Sequence, residues 1–192
     1  ANSDWSSDVC SSDLHYQYNN TWDDPLSAAN GGGIVGCALG ADEVNRIAIT
    51  GCSCSGMVES KRSGAAGIVG YARFSDISDC GFTGGIEGSG PHFAGGIAGT
   101  SGSPIKKVWS YVDINSISDN LGGIVGKLTA QVSLESLVSL GNIYTTSSNT
   151  GASGAVQRIV GTSGIYRYTT RRTVGYSGQL LGKEAPAAEL RD

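Results

Sequence analysis

The sequence predicts an all-β fold, a parallel β-helix-like solenoid of about four to five glycine-rich coils. Three observations carry this. Glycine supplies 30 of 192 residues, more than double the usual share of about 7%, without the every-third-residue period of collagen. The hydrophobic share is 39% and charge only 16%. The first figure is too high for a disordered glycine-serine linker, and the second too low for a surface of charged helices. Above all, a short glycine-aliphatic element recurs along the chain.

Four copies align: Gly32-Gly33-Ile34-Val35-Gly36, Ala66-Gly67-Ile68-Val69-Gly70, Gly95-Gly96-Ile97-Ala98-Gly99 and Gly122-Gly123-Ile124-Val125-Gly126. A decayed fifth copy is read at Ser153-Gly154-Ala155-Val156. The second position recurs at 33, 67, 96, 123 and 154, the spacing expected of a stacked repeat. The four copies hold 11 glycines in 20 positions, and each glycine would cost about 1 kcal/mol in a helix interior. In a solenoid the same glycines turn corners, often with positive φ, and let neighbouring coils approach closely.

A second element follows each copy. It reads Ile49-x-x-Cys52-x-Cys54-x-x-x-Val58, then Ile77-x-x-Cys80-x-Phe82-x-x-x-Ile86. Ile105-x-x-Val108-x-x-Tyr111-x-x-Ile114 and Leu134-x-x-Leu137-x-x-Leu140-x-x-Ile143 continue it. One unit has too few apolar residues to bury a core. Stacking units about 4.8 Å apart sets equivalent side chains in ladders and makes the core continuous.

The repeat resembles the GLUG-motif repeats of bacterial surface proteins, found in large adhesin-like proteins of Bacteroides-type gut bacteria and beside some IgA-cleaving metallopeptidases. The resemblance rests on the four copies and spans residues 29–154. It extends to the tail, where Ile165-Tyr166-Arg167-Tyr168 leads to Ala187-Ala188-Glu189-Leu190. It implies a non-catalytic extracellular module for adhesion or display. It implies a secreted or surface location, and as partner a host or glycan ligand or neighbouring domains of a larger protein.

Residues 4–14 form a different kind of segment. Their string, DWSSDVCSSDL, resembles the in-frame translation of a common sequencing adapter, so the chain is expected to derive from metagenomic reads with any signal peptide lost. Fold reasoning then begins at His15. Residues 1–14 are expected to be a non-native segment, residues 15–182 the repeat domain, and residues 183–192 the start of a truncated segment. Removing Asp4, Asp8 and Asp13 from the 17 acids leaves 14 against 13 bases, a net charge of −1 in place of −4, so acidity argues for no cationic partner. Deleting residues 1–14 is expected to leave the melting temperature unchanged.

Candidate sites are few. Cys52 and Cys80 fall at equivalent repeat positions, so they would stack in adjacent coils as a disulfide or as a ladder of buried thiols. Val108 and Leu137 in the same slot favour thiols. Cys52-x-Cys54 has the wrong spacing for a zinc or redox motif. The two histidines, His15 and His92, build no local triad, and His-Glu-x-x-His is absent.

Asp76, Asp79, Glu87, Asp113 and Asp119 could form an acidic strip of the kind a carbohydrate-active solenoid needs. That is the alternative function, and it requires Asp76, Asp79, Asp113 or Asp119 to converge. Tyr166, Arg167, Tyr168, Arg171 and Arg172 are the nearest thing to a ligand patch, with side chains that suit glycans, anions or nucleic acid. The favoured role for them is a capping strand over the open end. Trp109 is expected to pack rather than bind. No cofactor, metal or nucleic acid is expected, and no apolar run of about 18 residues exists to span a membrane.

Overall fold

A computed structural model describes residues 10–11, 14–16, 30–60, 64–88, 93–116, 120–145, 155–163, 166–175 and 180–181. Within them the chain is an all-β parallel solenoid with three sheets. Sheet B stacks Gly31–Gly32, Gly64–Ala66, Phe93–Gly95, Asn120–Gly122 and Ala155–Gln157. Sheet C stacks Val35–Leu39, Val69–Arg73, Ala98–Gly102, Val125–Leu128 and Val160–Thr162. Sheet A is the widest, with Ser53–Ser60, Gly81–Gly88, Ile105–Ser116, Val132–Leu140 and Tyr168–Gly175 along its main path. Each turn runs from B through C to A. The turns at 64–88, 93–116 and 120–145 are flanked on both sides in all three sheets, and one further turn stands at each end.

The ladders fall in the expected register. Ile49, Ile77, Ile105 and Leu134 stack in line and are buried. Val58, Ile86, Ile114 and Ile143 form a second buried row. Ile68, Ile97, Ile124 and Ile159 fill the corner between sheets B and C. Each such side chain contributes about 1.5–3 kcal/mol on leaving water, and no single turn holds enough of them to fold alone.

The fifth copy is not where the sequence reading put it. Gln157 pairs with Gly122 and Val160 with Val125, so the copy is Gln157-Arg158-Ile159-Val160-Gly161. The Ile-Val-Gly half is intact and the two leading glycines are replaced. Gly154 lies outside the described residues.

The reason for the replacement is geometric. A Cβ on Gly33, Gly67, Gly96 or Gly123 would overlap the carbonyl of the equivalent residue in the next turn. Among the described residues no turn follows Arg158, so a side chain is permitted there. Sheet A adjusts on the facing ladder, where Cys54, Phe82, Ser110 and Ser139 are followed by Gly175. Buried Arg158 donates from Nη1 to the Gly141 carbonyl at 2.8 Å. Burial lowers its pKa.

The motif glycines therefore serve close approach. None has a positive φ, contrary to the corner role expected of some. One recurring left-handed position lies in sheet A instead, at Gly51, Asp79, Lys107, Ser136 and Arg172, with φ of 66, 54, 52, 57 and 52°. Strand register stacks these five residues, one per turn. A left-handed residue resets the alternation, which is why Ile105 and Val108 are both buried although three apart. Beyond it ordinary alternation resumes. Tyr111 and Leu140, which the three-residue spacing grouped with the core, therefore face outward.

At the N-terminal edge Cys10–Ser11 and Leu14–Tyr16 pair parallel with Ser53–Ser60. The boundary expected after residue 14 thus falls within a paired rung. Backbone hydrogen bonding along an open sheet edge is indifferent to sequence, so the pairing requires no native complement there.

Candidate functional site

The outer face of sheet A holds the structure's one conspicuous concentration of exposed aromatic surface among the described residues. Alternation from Val108 onward turns Trp109, Tyr111, Asp113 and Asn115 outward. Trp109 is 44% exposed and Tyr111 60%. Trp109 thus departs from the expectation that it packs away. The preceding strand opposes them with Gly81, Thr83, Gly85 and Glu87, in register. A glycine-rich strand leaves a trough between fuller neighbours.

Side chains lean into that trough from both sides. A Cβ on Gly81 would overlap three adjacent indole atoms of Trp109, so the ring lies across the glycine. The Met57 thioether lies over Gly85. Beyond them a groove of about 540 Å³ is lined by Met57, Gly84, Gly85, Glu87, Asp113 and Tyr144. Asn115 completes the lining. The lining carries two carboxylates and no base. Asp113 Oδ1 accepts from the Asn142 backbone N at 3.0 Å and from its Nδ2 at 3.1 Å, which fixes that carboxylate at the groove wall.

The other acids of the expected strip go elsewhere. Asp76 Oδ1 accepts from Arg46 Nε at 2.9 Å. Asp79 pairs with Lys107 at the left-handed corner, and Lys107 lies six positions before Asp113 on its strand. Of the four acids among the described residues, Glu87 and Asp113 share a site. Asp119 lies outside the described residues.

Cys52 and Cys80 stand in successive turns and are buried, and no disulfide joins them. Cys80 Sγ donates to the Ser78 carbonyl at 3.1 Å. Burial, reinforced by the neighbouring Cys52 side chain, pushes the Cys80 pKa up to about 12. These are inert apolar groups, not nucleophiles.

The Tyr/Arg segment forms the last long strand of sheet A. Tyr168–Gly175 pairs with Val132–Leu140, and Tyr168 packs partly against the core. Tyr166, Arg167, Arg171 and Arg172 are exposed, with Arg172 Nη1 3.8 Å from Glu135 Oε1. Ile165 and His92 lie outside the described residues.

No family model, curated protein or solved structure matches this chain.

The trough was missed by sequence reasoning, though a mark of it was present. Gly81-Phe82-Thr83-Gly84-Gly85 carries three glycines outside the repeated motif, inside a strand. Glycine there costs packing and often marks a place where a ligand or another backbone comes close.

Proposed function

We propose that the chain is a non-catalytic repeat module for adhesion or display, belonging to a secreted or surface protein of a bacterium of the GLUG-repeat type. Its partner would be a glycan or host ligand, or neighbouring domains of a larger protein. The observation supporting this reading is that Asp76 and Asp79 are drawn into ion pairs away from the groove, Asp76 with Arg46 and Asp79 with Lys107. Acid–base chemistry on a glycosidic bond needs two carboxyl groups about 5–10 Å apart in one cleft. The motif residues are spent on stacking, so binding falls to faces such as the outer side of sheet A and the Tyr/Arg strand.

A second reading has one observation in its favour. Glu87 and Asp113 line the same groove, as a carbohydrate-active solenoid would need. Incubation with neutral and acidic polysaccharides, followed by a reducing-end assay, separates the two. The module reading expects no release above blank. Release that Glu87→Gln abolishes would establish the enzyme reading.

A further inference from the structure

We infer that the trough on sheet A is a saccharide-binding site, taking neutral hexose chains on the platform of Trp109 and Tyr111. The inference rests on the module reading and adds to it the place and the ligand class.

The chemistry follows from the shape. A pyranose has apolar C–H faces and a polar rim of hydroxyls. Its C–H groups stack on the electron-rich face of an aromatic ring, while its hydroxyls need acceptors and donors at the edge. Trp109 reaches over Gly81, where three adjacent indole atoms occupy the space a Cβ would take. At 44% exposure it keeps indole surface open to solvent, as a platform for a sugar needs. Tyr111, two residues on, continues the aromatic surface along the strand.

Beyond the aromatics the groove supplies the rim chemistry. Asp113 and Glu87 accept from hydroxyls, Asn115 both donates and accepts, and Tyr144 adds a further ring. Gly84 and Gly85 keep the floor low. A residue with a side chain is excluded at Gly84, where φ is 145° and a Cβ would overlap the Gly56 carbonyl. The volume of about 540 Å³ falls within the usual range for small-molecule sites.

Charge and topology select among ligands. With two carboxylates and no base in the lining, uronates, sulfated glycans and phosphates are disfavoured. Gly81–Gly88 and Ile105–Ser116 are paired on both sides, so this face offers no strand edge for an extended peptide to join. A neutral saccharide satisfies both conditions.

The test is calorimetric titration of the full chain with cellohexaose, mannohexaose and maltohexaose, using tri-galacturonate as the anionic probe. At least one neutral hexasaccharide is expected to bind, and the galacturonate to bind none or more weakly. Trp109→Ala and Tyr111→Ala should each weaken binding by about tenfold or more. Tyr111→Phe should retain it. Tyr111 is exposed enough that its removal leaves the fold intact, which the melting curve checks. The inference is overturned if none of the three neutral saccharides binds, if either alanine variant binds as well as the parent, or if the galacturonate binds best. Reducing ends released from a bound saccharide would instead overturn the non-catalytic reading and leave the site in place.

Discussion

Asp79 and Lys107 occupy the same corner in successive turns, both with left-handed backbones, and Asp79 Oδ1 lies 3.6 Å from Lys107 Nζ. The corner recurs at Gly51, Ser136 and Arg172. Four of the five positions carry a side chain where glycine is easier, at about 1–2 kcal/mol each. Cross-turn ion pairs offset part of that cost, with Arg172 reaching Glu135 in the last turn. Both partners in the Asp79 pair are largely exposed, so the pair itself contributes under about 1 kcal/mol.

Substitution at this corner should therefore depend on backbone freedom more than on charge. Lys107→Val, β-branched at positive φ, is expected to be about 1–2 kcal/mol less stable than Lys107→Gly. Urea denaturation of the two variants measures the difference. Equal midpoints would show that the corner relaxes without strain.

Glycines held by close approach should behave differently from glycines held by φ. Gly51 has φ +66° and open space where a Cβ would go, so Gly51→Ala should cost about 1 kcal/mol. Gly96 has ordinary φ, but a Cβ would overlap the Gly123 carbonyl and crowd Ser110. Gly96→Ala forces two turns apart and should cost about 1–3 kcal/mol or more. The order of the two melting temperatures checks this.

Ser139 Oγ is buried and has no hydrogen-bond partner among the described residues. Removing an unsatisfied hydroxyl relieves its desolvation. Ser139→Ala should therefore stabilise the chain by about 1 kcal/mol, read as a higher urea midpoint.

The Cys80 thiol gives a pH signature. Its pKa is raised from 9.0 to about 12 in the fold, so the unfolded chain loses this proton first as pH rises. Its contribution is complete below pH 9 and is lost between pH 9 and about 12. The denaturation midpoint should fall across that window, and less so in Cys80→Ala. In the native Cys10→Ser protein at pH 8, Cys37 should react with a thiol reagent, while Cys52, Cys54 and Cys80 react only on unfolding. An intact mass unchanged by reductant would agree, whereas a 2 Da gain would reveal a disulfide.

The repeats made the stack legible because ladders need like residues at like positions. Ile49, Ile77 and Ile105 could be aligned from sequence alone, and the structure stacks them. The left-handed corner was hidden because Gly51, Asp79, Lys107, Ser136 and Arg172 share a backbone state and no chemistry. That same corner misled the reading of Tyr111, since a three-residue spacing applies across it and a two-residue spacing beyond it. The fifth copy escaped because Arg158 stands where four glycines precede it, a change permitted because no turn follows it among the described residues. Trp109 could not be assigned a face until the alternation after Lys107 was known.

The most direct test of the account is a set of methyl–methyl nuclear Overhauser contacts in the full chain. The stacked register expects Ile77 to contact both Ile49 and Ile105, Ile105 to contact Leu134, and Ile86 to contact Ile114, with no contact between Ile49 and Leu134. Contacts joining Ile49 directly to Leu134, or Ile86 to Ile105 in place of Ile114, would contradict the parallel solenoid and with it the placement of Trp109 and Tyr111 on its outer face.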